Sequence, residues 1–304
     1  MSTAWLARRL RAGGGPTASN PDDEAPPGAP PGAPGREVPP DPREDVRVVD
    51  CRWYLKPFDM RDPEAEYAAG HIPGAVHLRW DTHWADPDHP IAGMLAQPEA
   101  FAEAMAAAGI GDRTTVVTYD DGHVTVAARL WWALRVYGHG AVAVLDGGIG
   151  RWVAEGRPLS TEVPRWPRGD FTARPRSAAY ATPLDVAAAL DDPSVGLVDC
   201  RMEPARVEDG AMIPGSAYLP GIEFLDDDGL MRSPEHCRET ILAAADPALR
   251  TILYCRGGVG ACGTALAYEV AGLGDGVSVY DGSWSEWVTI AGDTQRQALE
   301  RAVE

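Results

Sequence analysis

Short runs of apolar and β-branched residues alternate along this chain with stretches in which apolar positions recur three and four residues apart. The runs VRVVD (46–50), TTVVTY (114–119), AVAVLD (141–146), GLVDC (196–200), RTILYC (250–255) and GVSVYD (276–281) have strand length and few polar interruptions. That is the pattern of strands covered on both faces. Residues 124–137 and 260–271 carry apolar side chains at helical spacing, and each leads through a glycine-containing turn into the next apolar run. Strand, helix, strand in this order predicts parallel βαβ units, so the expected fold class is α/β, with mainly parallel sheets flanked by helices. In such sheets chemistry gathers at the carboxyl ends of the strands.

The chain also repeats itself. VVDCR (48–52) returns as LVDCR (197–201), and HIPGAVHL (71–78) returns as MIPGSAYL (212–219). A third pair is longer and holds one register: Tyr119 and Tyr254, Asp146 and Asp281, Trp152 and Trp287 all share an offset of 135 residues. Two domains are therefore expected, at 41–162 and 181–293, joined by a Pro- and Arg-rich linker at 163–180 that Phe171 and Tyr180 are placed to anchor. The Gly/Pro-rich stretch 1–40 and the end 294–304 read as disordered tails. The first fifteen residues carry arginines and no acids but lack the apolar core of a secretory signal, and read as plain tail ahead of an organellar presequence.

Composition narrows the function classes. A chain of 304 residues, 45% hydrophobic, buries enough for two ordinary domains. Its net charge of -18, from 45 acidic against 27 basic residues, argues against nucleic acid or anionic membrane as partners. No apolar run approaches the roughly 18 residues that cross a bilayer. The five cysteines, Cys51, Cys200, Cys237, Cys255 and Cys262, show neither scaffold spacing nor a C-x-x-C pair, which suits a reducing compartment and places the chain in the cytoplasm. Histidines and cysteines nowhere cluster at metal-ligand spacing, so neither metal nor cofactor is expected.

Cys255 is the residue with the clearest chemical context. It ends an apolar strand and is followed by Arg256, Gly257, Gly258, Val259 and Gly260 before a helical segment. Glycines let a short loop turn its N–H groups inward, and a helix start adds the positive end of its dipole, so this setting stabilises a thiolate. A free thiol titrates near about 8.5, and helix starts with nearby cations lower that value. Arg256 supplies a cation, and its guanidinium also matches a sulfonate or carboxylate. A free cysteine at a strand end is most often a small buried hydrophobe. Against that, the first copy has Asp120 at the same place, so the fold itself does not require a cysteine there.

These residues resemble the two-domain rhodanese sulfurtransferases, which include thiosulfate and 3-mercaptopyruvate sulfurtransferases. The motifs that carry the resemblance, over 46–288, are D-C-R in both halves, GHIPGA (70–75), LDGG (145–148), CRGGVGAC (255–262) and YDGSWSEW (280–287). The resemblance implies two rhodanese-like domains, the N-terminal one non-catalytic with Asp120 in place of the nucleophile. It implies that Cys255 takes a sulfane sulfur from a small anionic donor, thiosulfate in preference to 3-mercaptopyruvate. The persulfide then passes to cyanide, a thiol or a small carrier protein, a ping-pong covalent mechanism. The loop from Arg256 to Gly260 becomes the cradle, and Arg206 is the nearest match to the family's substrate-binding arginine, with Arg201 as its rival.

The chain departs from both familiar loop patterns. The thiosulfate type resembles C-R-K-G-V-T and the mercaptopyruvate type C-G-S-G-V-T, whereas Gly257 and Gly260 stand here at the third and sixth places. Met212 replaces the usual histidine before I-P-G. A non-catalytic rhodanese module that binds a partner or relays sulfur is therefore the second reading. A phosphatase of related fold needs an arginine six places after its cysteine, where this chain has Ala261. His71, Trp284 and Trp287 read as structural, with Asp281 or Ser283 capping a short helix, and Cys262 as buried on the helix after the loop.

Overall fold

The computed structural model describes residues 1–12, 45–56 and 59–291. In the first half, α1 (Thr3–Ala12) precedes β1 (Val46–Asp50), α2 (Pro63–Ala69), β2 (Val76–His77), α3 (Trp80–His83) and α4 (Pro98–Ala107). The half is completed by β3 (Thr115–Tyr119), α5 (Thr125–Val136), β4 (Val142–Val144) and α6 (Gly148–Ala154). The four strands are parallel in the order β2-β1-β3-β4. Strand β3 is buried along its whole length, which explains its unbroken apolar and β-branched run.

The second half repeats this plan with β5 (Tyr180–Ala181), α7 (Pro183–Ala189), β6 (Val195–Asp199), α8 (Glu203–Asp209), β7 (Ala217–Tyr218), α9 (Pro234–Ala244), β8 (Arg250–Tyr254), α10 (Val259–Val270) and β9 (Val277–Tyr280). Its five parallel strands run β5-β9-β8-β6-β7. Helix starts follow the capping rules: Thr182 closes a capping box with Asp185 ahead of Pro183, and Ser233 accepts from the His236 N–H ahead of Pro234. A helical segment runs from 283 to the end of the described residues. Among the described residues no helix is long and apolar enough to cross a membrane.

The expected N-terminal tail is corrected over its first residues. Helix α1 docks on the first domain, with Leu6 fully buried beside Val48, Ile72 and Trp152. The N-terminal ammonium donates to Val144 O at 3.0 Å, and Met1 O accepts from the Asp146 N–H at 2.9 Å. Ten residues make too short a helix to persist alone, so tertiary burial holds it. The rest of that expected tail from residue 13, and the one at 294–304, lie outside the described residues.

The stretch between the halves runs over the first domain. Phe171 is buried against Phe101 and His139, and the N–H groups of Gly169, Arg174 and Arg176 donate to Ala106, Tyr137 and Val136 carbonyls. Tyr180 begins β5 and stacks on Trp132.

The seam between the halves positions the site. Helices α5 and α10, each following the equivalent strand of its own copy, pack on one another, and a single hydrophobic core runs through both halves. Both strand-end loops are thereby brought to the same seam. Two aspartates related by the repeat reach across it: Asp146 accepts from the Met231 N–H at 2.9 Å, and Asp281 from the Leu95 N–H at 2.8 Å.

Candidate active site

Cys255 leaves the sheet at the carboxyl end of the interior strand β8 and is only 6% exposed. Asp199 and Tyr254 are register partners on β6 and β8, so the next residues, Cys200 and Cys255, emerge side by side. Burial holds the Cys200 thiol well above its usual range. Cys262, on α10, donates its thiol to Gly258 O at 3.1 Å, and burial pushes it up to about 12.

The loop turns through Gly258 at φ +75°, where a Cβ would lie 2.5 Å from Asp281 O and 2.8 Å from Arg129 Nη1. Only glycine meets both demands. A Cβ on Gly257 would have no atom within 4 Å, and one on Gly260 would lie 3.7 Å from the Cys255 sulfur. Val259, Gly260 and Ala261 form the first turn of α10, whose N–H groups have no partner within the helix.

The segment after β9 clamps this loop. Ser283 Oγ accepts from the N–H groups of both Cys255 and Gly258 at 3.1 Å and donates to Tyr280 O at 2.7 Å. Trp284 N–H donates to Cys255 O at 3.1 Å, and Ser285 donates to Arg256 O from its N–H at 3.0 Å and its hydroxyl at 2.7 Å. This corrects the expected cradle in one respect: the Gly258 amide is committed to Ser283. Sequence reasoning took Ser283 for a helix cap, although a signal was present. Gly148 is its counterpart in the first copy, and both adopt positive φ, 54° and 51°, so a serine is kept where glycine fits at lower cost.

The equivalent loop of the first copy, which turns through positive φ at Gly122 and Val124 rather than at the position of Gly258, holds a carboxylate. Asp120 is buried, and its carboxylate accepts from the N–H groups of Gly122 at 3.0 Å, Val124 at 3.0 Å and Ala127 at 3.1 Å. Burial pushes this carboxyl above its ordinary range, opposed by the amides that favour its charge. The repeat places Gly257, Val259 and Cys262 at the equivalent positions of the second copy.

The arginines sort differently from expectation. The Arg256 guanidinium bonds Glu208 at 2.9 Å and Asp209 at 2.6 Å, so its charge is already matched by two carboxylates, a setting that disfavours the anion-docking role expected for it. Arg201 is buried and bonds Asp199 at 2.6 Å, Asp209 at 2.9 Å and Ala211 O at 2.7 Å, as Arg52 bonds Asp50 in the first copy at 2.7 Å. Both hold their strand-end turns. Arg206 lies over the Tyr218 ring at 4.4 Å and has no carboxylate partner among the described residues. Met202, which lines the cavity described below, is the N-cap residue of α8.

Arg129 was not expected. It is fully buried on α5, pairs with Asp281 at 2.6 Å and donates to Gly93 O at 2.9 Å and Gly258 O at 3.4 Å. No local spacing signals it. His71 is buried with its ring nitrogens 2.9 and 3.1 Å from the Tyr67 and Glu162 carbonyls, away from the loop. Trp284 packs under Arg201 at 4.5 Å.

A cavity of about 230 Å³ opens against Gly260 and Cys200, with His123, Val124 and Thr125 of the first half forming its opposite side. A buried strand-end thiol, a glycine-containing loop that enters a helix start and an adjoining cavity meet at the seam of a two-domain α/β protein, the class that the fold defines.

Comparison with known proteins gives that class its family. The rhodanese-like domain profile matches residues 41–155 and 182–290. Thiosulfate sulfurtransferase of Bos taurus is 34% identical over 300 residues, covering 94% of this chain and 91% of that one. Human 3-mercaptopyruvate sulfurtransferase is 34% identical over 256 residues, covering 80% and 85%. The crystal structure of the 3-mercaptopyruvate sulfotransferase SseA from Escherichia coli superposes with a TM-score of 0.74 at 26% identity, covering 93% of this chain and 98% of that one. The chain belongs to the rhodanese family, with two domains of that kind in tandem.

Proposed function

We propose that this sulfurtransferase carries sulfane sulfur as a persulfide on Cys255, with the amides of the loop from Gly257 into the first turn of α10 as its cradle. The observation that carries the reading is Asp120: the silent copy's loop closes three N–H groups around an anion attached at the equivalent strand end. A persulfide on Cys255 sets negative charge in the same place.

In the first half-reaction the Cys255 thiolate attacks the outer sulfur of thiosulfate. A new S–S bond forms as the donor's S–S bond breaks, and sulfite leaves with the electron pair. Arg206 meets the donor's anionic end, a role supported by its lack of a carboxylate partner among the described residues. Arg256 acts on the donor only in competition with Glu208 and Asp209. In the second half-reaction cyanide or a thiol attacks the outer sulfur, and the electron pair of the broken bond returns to Cys255. Among the described residues no group of side chains is arranged to hold a metal, and no step uses one. The relatives' names favour thiosulfate or 3-mercaptopyruvate as donor. Five free cysteines support a reducing compartment, the cytoplasm.

Intact mass spectrometry after exposure to each donor tests this. One sulfur mass should appear on the peptide containing Cys255 and be absent from Cys255→Ser, which should be folded and without turnover. Sulfur transfer at the wild-type rate by Cys255→Ser would overturn the assignment.

A further inference from the structure

The cavity reaches Gly260, where a Cβ would lie 3.7 Å from the Cys255 sulfur, and it has a composition that the carrier chemistry does not by itself require. Its walls are Val124 from the silent half and Met202, Ile222, Leu225 and Met231 from the catalytic half. Its remaining surface includes three glycines, Gly221, Gly260 and Gly263, so the space exists because side chains are missing there. A Cβ at Gly221 would meet only ordinary contacts, 3.6 Å from Gly260 O and Thr264 N, so a side chain can start from that position without a clash. Val124 keeps a β-branched side chain at φ 65°, a conformation such residues rarely adopt.

No lining side chain carries a fixed charge, and the one imidazole, His123, is three-quarters exposed. The cavity therefore does not suit thiosulfate, the sulfite it releases, or a thiol whose body is charged. An uncharged, mainly apolar lining suits the other partner in the exchange better than an anionic donor.

We propose that the cavity selects the sulfur acceptor: a thiol carried on an uncharged, apolar body about the size of a phenyl ring. An apolar cavity of roughly 150 Å³ holds benzene, so about 230 Å³ has room for a ring and a short linker. The proposal rests on the carrier reading above. The acceptor thiolate attacks the outer sulfur of the persulfide and forms a new S–S bond. The bond to Cys255 breaks, its electron pair restores the Cys255 thiolate, and the acceptor leaves as its own persulfide. Two electrons move within the two reactants, and no outside oxidant or reductant takes part.

Full-length protein is loaded with thiosulfate, freed of excess donor, and discharged with phenylmethanethiol or 2-mercaptoethanol, thiols of similar acidity. Loss of the persulfide is followed by intact mass. Phenylmethanethiol should discharge it at least about tenfold faster, since each buried methylene contributes about tenfold or more to selectivity. Its rate should saturate with concentration. Gly221→Leu, which fills the cavity, should bring the ratio of the two rates close to one. Ile222→Asp, which places a carboxylate at the half-exposed rim, should do the same without disturbing the core. Equal rates in the loaded wild-type protein, or a ratio unchanged in both variants, would overturn this inference and leave the carrier reading intact. A protein that never gains sulfur on Cys255 would overturn both.

Discussion

Replacing Ser283 separates two things that one residue does. Its hydroxyl is the acceptor for two buried amides of the Cys255 loop, and its backbone sits at φ 51°. Ser283→Ala leaves both amides without a partner at about 1–3 kcal/mol each, so a loss of roughly 2–6 kcal/mol is expected. Ser283→Gly removes the same hydroxyl but relieves a left-handed conformation that costs about 1–2 kcal/mol for a residue with a Cβ. The glycine variant should therefore be the more stable of the two by about that amount. Their catalytic losses should nonetheless match, because both free the loop that aims the sulfur. A displacement of about 1 Å lowers turnover on the order of 100-fold. Urea unfolding gives the stabilities, and thiosulfate-to-cyanide transfer gives kcat/KM. Full turnover by Ser283→Ala, or stability within about 0.5 kcal/mol of wild type, would refute the clamp.

Further outcomes follow from the same geometry. Gly258→Ala should unfold far more readily than Gly257→Ala in thermal melts, because its Cβ meets Asp281 O at 2.5 Å whereas that of Gly257 meets nothing within 4 Å. Arg129→Met leaves Asp281 buried and unpaired, a loss of about 3–5 kcal/mol; adding Asp281→Asn should recover part of it, and strict additivity in the double-mutant cycle would show the pair to be uncoupled. Above about pH 9 the unfolded chain ionises its thiols. Cys51, Cys200 and Cys262 are raised by burial and keep their protons when folded. The folded state then binds more protons, so stability should fall as pH rises, by up to about 1.4 kcal/mol per pH unit for each thiol. Unfolding midpoints that stay flat from pH 8 to 11, with Cys262→Ala no less sensitive than wild type, would contradict this.

Much of the site was legible because the chain contains its own comparison. The repeat sets Cys255 against Asp120, so the fold accepts either residue at that strand end, and the same alignment sets Ser283 against Gly148. The runs that became β1, β3, β4, β6, β8 and β9 announced themselves through local periodicity, as did α5 and α10. Helix α1 did not, because ten residues beside a Gly/Pro-rich stretch carry no stability of their own, and the burial of Leu6 supplies it.

The sequence alone determined the α/β plan and the doubling, since periodicity and register are properties of neighbours along the chain. Tertiary structure decided which charges meet. Arg256 found Glu208 and Asp209 on α8, and Arg129 found Asp281 across the seam. It also decided that one copy's loop is closed by Asp120 while the other borders a cavity that both halves build. Such pairings depend on distances fixed only when α5 packs against α10, and no spacing along the chain encodes them.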